Sequence, residues 1–332
     1  MAKKRLVKRN VRVLDSLPML IVCIAVVAAL YVACLTGLAS NNAMRYMIQI
    51  FLYMTMGEMW NLLSGFTGMT SLGQQLYVGL AGYSVAVATT KLQLSLGIGL
   101  ALGVAVSVVI ALLLSLVLFR MQGMYFSIAT WVVAEAFEKL FLSWKYVEQG
   151  SGMTIRVVPY PKISEICAAS LTLCVVAVAV VYLLLRTRVG LGLTAMRDDI
   201  TAASAVGVNI FAGKLLVYVI AAAFIAVAAG IFFVNKGIVY PESGFGIGWT
   251  VSMIFIVTIG GSGTVSGPIV GAAIYVFLQE FLAHYPGWSN IILGAITILV
   301  IFFLPKGIMG TLQEKLGFEI FSAKRFSFAR HR

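Results

Sequence analysis

Glu58 lies in the run MTMGEMWNLL and Glu135 in TWVVAEAFEK, two carboxyls inside otherwise apolar stretches. A charge within a bilayer is costly, so ionisable residues there are functional candidates by default. Glu58, with Trp60 and Asn61, could meet a polar group of a solute or hydrogen-bond across helices. Glu135 has a simpler partner in Lys139 at i,i+4. A proton relay needs a chain of such groups, and these runs hold too few. Two glycine-rich segments, GFTGMTSLG at 65–73 and GGSGTVSGP at 260–268, interrupt apolar runs. They share a pattern, Gly68-x-x-Ser71-x-Gly73 against Gly263-x-x-Ser266-Gly267. Non-helical backbone inside a membrane survives only when buried in protein or lining a wet cavity. Gly-interrupted segments in corresponding positions of two halves point to a translocation route. Glu58, Asn61, Gly65, Gly68, Ser71, Gly73, Gly261, Gly263 and Ser266 are therefore candidates for lining a path. Close helix packing through small residues such as Gly79, Gly82, Gly267 and Gly271 explains the same pattern, and the two readings are compatible.

A third polar feature is RTRVGLGLTAMRDDITAASAVGVNIFAGK at 186–214. This island is too long for a plain turn. Met196, Ile200, Ala203 and Val206 recur at helical spacing and predict one short amphipathic helix. Asp198 and Asp199 fall in its first turn, where carboxylates offset the helix dipole, and Gly207 supplies a left-handed stop. An apolar stripe outside the spans needs a docking partner, and another protein fits.

The elements that must hold these residues are membrane helices. Of 332 residues 61% are hydrophobic and 11% charged, whereas soluble chains carry about a quarter charged. The mean hydropathy is +1.00. Apolar runs of spanning length lie near 17–39, 45–64, 73–90, 94–119, 122–143, 164–185 and 214–235, followed by 248–260, 267–283 and 288–304. The expected fold is all-α and polytopic, with about ten transmembrane helices. It divides into a basic N-terminus (1–16), a permease domain (17–304) containing the loop 186–214, and a basic tail (305–332). The positive-inside tendency puts both termini and the island in the cytoplasm, with seventeen of the 24 Lys and Arg on that side. The net charge of +12 is thereby assigned to topology and anionic lipid, not to nucleic acid. The first span could mimic a signal peptide, with Gly37-Leu38-Ala39 resembling a cleavage site, but it is too long for one and is expected to be retained.

Catalysis finds no support. The two histidines, His284 and His331, form no metal site or triad, and no G-x-x-x-x-G-K-[ST] run occurs, so any ATP-driven motor sits on a separate subunit. Cys23, Cys34, Cys167 and Cys174 all lie in apolar runs and are expected to be packing residues with no disulfide framework. The loop 144–163 should be an irregular, solvent-facing cap. Trp144, Tyr160, Trp249 and Trp288 suit an aromatic belt, or a docking surface for an extracytoplasmic partner.

Five stretches then carry a resemblance: NLLSGFTGMTSLGQQLYVGLAGYSVA at 61–86, GMYFSIATWVVAEAF at 123–137, GLGLTAMRDDITAASAVGVNIFAGKLLVYVIAAAFIAVAAGIFF at 190–233, IGGSGTVSGPIVGAA at 259–273 and FFLPKGIMG at 302–310. The chain resembles branched-chain amino acid ABC importer permeases of the LivM type along nearly its whole length. The Arg-Asp-Asp to Gly-Val-Asn segment is the most specific piece. Related monosaccharide permeases share the scaffold but usually carry Asp-Leu-Ser where this chain has Met69-Thr-Ser-Leu72. The resemblance implies a subunit that pairs with a second permease, two ATP-binding subunits and an extracytoplasmic binding protein, in a bacterial inner membrane. ATP and Mg would be bound by the partners, with no cofactor in this chain. By the same resemblance Met196–Asn209 becomes a coupling helix, with Met196, Arg197, Asp198, Asp199, Ile200, Ala203 and Gly207 facing the ATPase. Glu58 and the Gln74–Gln75 pair depart from the family pattern, and so leave the solute open. Leucine, isoleucine or valine is the first expectation, and urea or a short amide on the same scaffold is the second. A stand-alone secondary transporter or channel is the reading from another class.

Overall fold

The computed structural model describes residues 16–36, 40–282, 289–304 and 306–316. The basic N-terminal run, Gly37-Leu38-Ala39, His284, Trp288, His331 and the tail beyond Leu316 lie outside the described residues. The chain is built of helices: α1 Ser16–Leu35, α2 Asn41–Thr67, α3 Gln75–Ala86, α4 Leu96–Leu118, α5 Met124–Ser143, α6 Ile163–Arg186 and α7 Arg188–Asp198. These are followed by α8 Ile200–Ala205, α9 Ile210–Lys236, α10 Pro241–Phe245, α11 Gly248–Gly260, α12 Gly267–Leu282, α13 Ser289–Phe303 and α14 Gly307–Leu316. Each of the ten expected spans finds a helix. Among the described residues, five segments are long and apolar enough to cross a membrane: α4, α6, α9, Pro241–Gly260 and Ile291–Lys315.

The centre of the bundle is α2. A soluble surface helix buries one stripe, whereas a helix buried all round belongs in a core. Apart from Met54 and Ser64, every residue from Phe51 to Thr67 is buried, because α6, α9, α11 and α12 pack around the helix. Ser40 starts it, its Oγ accepting from the Ala43 N–H at 3.2 Å. Gly68 ends it at φ +73°. The Gly68 N–H reaches the Ser64 carbonyl and the Met69 N–H the Leu63 carbonyl, at 3.1 and 2.9 Å. A left-handed glycine whose N–H returns to the carbonyl four residues back is an αL stop. By contrast α4 buries a single row, Gly99, Gly103, Ser107, Ala111, Ser115 and Leu118. Small side chains every fourth residue let a helix approach its neighbours closely, here α3 and α9.

Three expectations are corrected. Cys34 and Cys167 form a disulfide joining α1 to α6, while Cys174 is free and buried. Apolar surroundings hid this pairing, because sequence spacing says nothing about two helices meeting 133 positions apart. The loop 144–163 is not merely a solvent-facing cap. It buries Val147, Met153 and Ile155, and a strand β1 (Met153–Thr154) pairs antiparallel with β2 (Ile238–Val239). Its unpaired backbone groups need partners, and the loop after α9 supplies them. The third correction, to the island helix, belongs with the site. Among the aromatics of this end, Trp144 and Tyr160 stay about half exposed, at 47% and 50%. Trp249 is built into the packing: it stacks on Tyr53 and its indole N–H donates to the Ser243 carbonyl at 2.8 Å.

Candidate functional site

The two glycine breaks meet at the same end of the bundle, and α2 supplies the joint. Two turns before its stop, Asn61 is fully buried. Its Nδ2 donates to the Thr264 carbonyl at 2.9 Å and its Oδ1 accepts from the Gly263 N–H at 2.9 Å. A single side-chain amide thus satisfies an acceptor and a donor of the second break, as non-helical backbone requires. Gly65 lies against the same loop: a β-carbon there would stand 2.6 Å from the Gly263 nitrogen. Gly263 itself holds φ +73°, a conformation that suits glycine.

Break one is tied to other elements. Trp60 donates its indole N–H to the Ser71 carbonyl at 2.9 Å, and the Gln74 amide donates to Ser71 Oγ at 2.9 Å. From α5, Ser127 Oγ donates to the Thr70 carbonyl at 2.5 Å, and Thr130 Oγ1 accepts from the Leu72 N–H at 3.1 Å. Gly73 packs on the Thr130 backbone. Thr250 on α11 donates to the Gln75 carboxamide oxygen. Ser71, Gln74 and Gln75 are fully buried. Break two is closed from behind by α14, which sequence reasoning left inside a basic tail. Gly307 presses on Gly261, and the Gln313 amide donates to Ser266 Oγ at 3.1 Å. The signal was present in FFLPKGIMG, where a glycine after Pro-Lys opens a turn of apolar residues.

The island is two helices, not one. Arg188–Asp198 forms α7, and Asp199 leaves the helix at φ −157°, ψ 112°. Asp199 Oδ1 accepts from the Thr201 and Ala202 N–H groups at 2.8 and 3.0 Å, capping α8. Aspartate favours such a cap over a helix interior, so the local bond broke the expected continuous helix. Asp198 therefore ends α7 and pairs with Arg197 at 3.0 Å. Met196 and Ala203 are buried at 1% and 2% exposure, while Ile200, Val206 and Gly207 are exposed. Gly207 holds φ +87°, in agreement with a left-handed stop.

Arg197 connects the island to the breaks. Its Nη1 donates to the Gly65 carbonyl at 3.0 Å, one of the orphan carbonyls at a helix C-terminus, where a cation is favoured. A β-carbon on Gly68 would sit 3.4 Å from Arg197 Cα, and one on Gly263 would sit 3.1 Å from its guanidinium. Of the candidate coupling residues, Arg197 is thus the one that meets candidate path residues, Gly65, Gly68 and Gly263. Glu58 stands apart. It is fully buried, and among the described residues neither carboxyl oxygen has a hydrogen-bond partner, so the cross-helix bond is not made. The Glu135–Lys139 pair is made, at 3.2 Å, and Lys139 also reaches Glu138 at 3.2 Å. A cleft of 390 Å³ opens beside break one, reaching Gly68 and Thr70 on one side and Ile200 and Lys214 on the other. Among the described residues no group of His, Cys, Asp and Glu could hold a metal ion.

Comparison with known proteins adds a family. The one described as "Branched-chain amino acid transport system / permease component" matches residues 42–301. The high-affinity branched-chain amino acid transport system permease protein LivM of Salmonella typhimurium is 28% identical over 166 residues, covering 50% of this chain and 39% of the relative. BraD of Pseudomonas aeruginosa, described in the same words, is 29% identical over 127 residues, 38% of this chain and 41% of the relative. LivH of Escherichia coli is 29% identical over 126 residues, 37% of this chain and 40% of the relative. The matches thus span about two fifths of the length of these relatives. No solved structure matches the chain.

Proposed function

The chain belongs to the branched-chain amino acid transport permease family and is a multi-pass membrane protein, and we propose that it is one permease subunit of an ATP-driven importer for leucine, isoleucine or valine. In this reading it forms the path with a second permease in a bacterial inner membrane, with both termini in the cytoplasm. The permease domain covers 17–304. Two ATP-binding subunits carry ATP and Mg and grip the island, while an extracytoplasmic binding protein delivers the solute to the opposite end.

The observation that carries this reading is the Arg197 bridge to the Gly65 carbonyl. An island that only connected two spans would need no bond into the core. With that bond, a push on Met196, Arg197, Asp198, Asp199, Ile200, Ala203 and Gly207 is delivered to the end of α2. There Asn61 and Gly65 hold Gly263 and Thr264 of break two, whose Gly261 and Ser266 rest on Gly307 and Gln313, while Gly68, Ser71 and Gly73 form break one. Parting these contacts opens a route past Glu58, and restoring them closes it. The test is reconstitution in proteoliposomes with the second permease, the ATP-binding subunits and the binding protein. ATP-dependent leucine uptake is expected, with isoleucine and valine competing. Uptake by the chain alone without ATP, or competition by urea and not by valine, would overturn the proposal.

A further inference from the structure

The cleft beside break one is lined chiefly by Thr67, Thr70, Gln122, Gly123, Ser127 and Lys214 among polar and backbone groups, and no Asp or Glu lines it. Lys214 is only 9% exposed. Lys214 is not among the described residues that hydrogen-bond or form an ion pair. A lysine ammonium has three donors and no acceptor, so an anion is the partner it suits. The N-terminus of α5 enters the same cleft. That helix is 20 residues long, follows Gly123 at φ +56° in the N-cap position, and has no side-chain cap. Its first N–H groups have no intrahelical partner, and its dipole presents a positive end. Nearby hydroxyls are already spent, Thr67 Oγ1 on the Leu63 carbonyl at 2.5 Å and Ser127 Oγ on the Thr70 carbonyl. Among the described residues, the Lys214 ammonium and the first N–H groups of α5 thus line one space with no carboxylate to answer them.

We propose that this cleft binds a single oxyanion group, a carboxylate or a phosphate, between the Lys214 ammonium and the uncapped N-terminus of α5. Two sources offer that chemistry. One is the phosphate of an anionic lipid headgroup, since Lys214 sits at the start of a membrane-crossing helix. The other is the carboxylate of a free amino acid, which a volume of 390 Å³ accommodates. Ile200 of the island lines the same cleft, so an occupied site would also brace α8 against α5. The inference rests on the cleft alone and stands whether or not the island couples to an ATPase.

Acylation of Lys214 by an amine-reactive reagent, read by peptide mass spectrometry on the full chain in neutral detergent, tests it directly. Phosphatidylglycerol is one probe, with phosphatidylcholine as control, and L-leucine is the other, with leucinol as control. The effective probe slows acylation about tenfold, as one charge-assisted hydrogen bond implies. Protection by phosphatidylglycerol alone identifies a headgroup site, and protection by leucine but not leucinol identifies a carboxylate site. The second measurement is the midpoint of thermal unfolding. The rise produced by the protecting probe is expected to vanish in Lys214→Met and persist in Lys214→Arg. Unchanged acylation with both probes overturns the site, as does a thermal rise that survives in Lys214→Met.

Discussion

At the scale of single residues the chemistry is carried by amides and one guanidinium. Asn61 is the sharpest case, because its carboxamide closes both a donor and an acceptor of buried loop backbone. Asn61→Ala leaves both unpaired, which costs about 1–3 kcal/mol for each buried group left without a partner. The expected result is a lowered unfolding midpoint for the purified chain, with Asn61→Asp intermediate because it can still accept from Gly263. Glu58 is the opposite case, a buried carboxyl without a partner. Replacing such a group by an apolar one of similar shape is neutral or stabilising, so Glu58→Met is expected to raise the midpoint. If leucine uptake in the reconstituted importer falls in the same variant, the carboxyl is retained for transport at the expense of stability. Unchanged uptake would assign it no transport role. The candidacy of Glu58 and Asn61 was legible from the sequence, since polar residues within an apolar run are conspicuous. Their partners were not, because Thr264 lies 203 positions from Asn61 and pattern reading is local.

At the scale of elements, periodicity found each apolar helix and misjudged the island. Helical spacing from Met196 to Val206 is real, but period alone cannot weigh the Asx-type bond by which Asp199 ends one helix and caps the next. Asp199→Ala removes that cap, and a lost N-cap costs about 1 kcal/mol. Amide hydrogen exchange over 200–205 is expected to accelerate by roughly the matching fivefold to tenfold factor, while α7 keeps its protection. Equal acceleration in α7 would mean that the two helices are one cooperative unit after all. The same limit explains α14. Its residues were grouped by charge with the tail, because Lys306 and Lys315 outweigh the apolar turn between them. Its role emerges only when Gly307, at φ +68°, is seen against Gly261. A β-carbon at 307 would meet Gly261 Cα at 2.5 Å, so Gly307→Ala is expected to lift α14 from break two and expose Ser266 and Gln313.

At the scale of the whole molecule, the two glycine breaks are brought to one end of the bundle and fastened there by α2, Arg197 and α14. Packed interfaces switch between discrete arrangements and do not deform smoothly, so a contact as tight as that of Gly65 on the second break is well suited to a two-state joint. A methyl group at 65 would stand 2.1 Å from Asn61 Oδ1 and 2.6 Å from the Gly263 nitrogen, too close for the arrangement seen here. Gly65→Ala is therefore expected to wedge the joint apart without touching the island. In the reconstituted importer, leucine uptake should drop by at least about tenfold, which corresponds to disfavouring the joined state by roughly 1.4 kcal/mol. ATP hydrolysis should continue, because the residues proposed to meet the motor on α7 and α8 are untouched. Arg197→Gln should lower uptake by a different route, losing the charge-assisted bond to the Gly65 carbonyl while leaving the joint free to close. Two variants on opposite sides of one hydrogen bond then report the same loss of uptake. Normal uptake in both would separate the island from the breaks and remove the mechanical basis for treating them as one machine. Loss of hydrolysis together with uptake would place the defect at the motor interface and away from the joint.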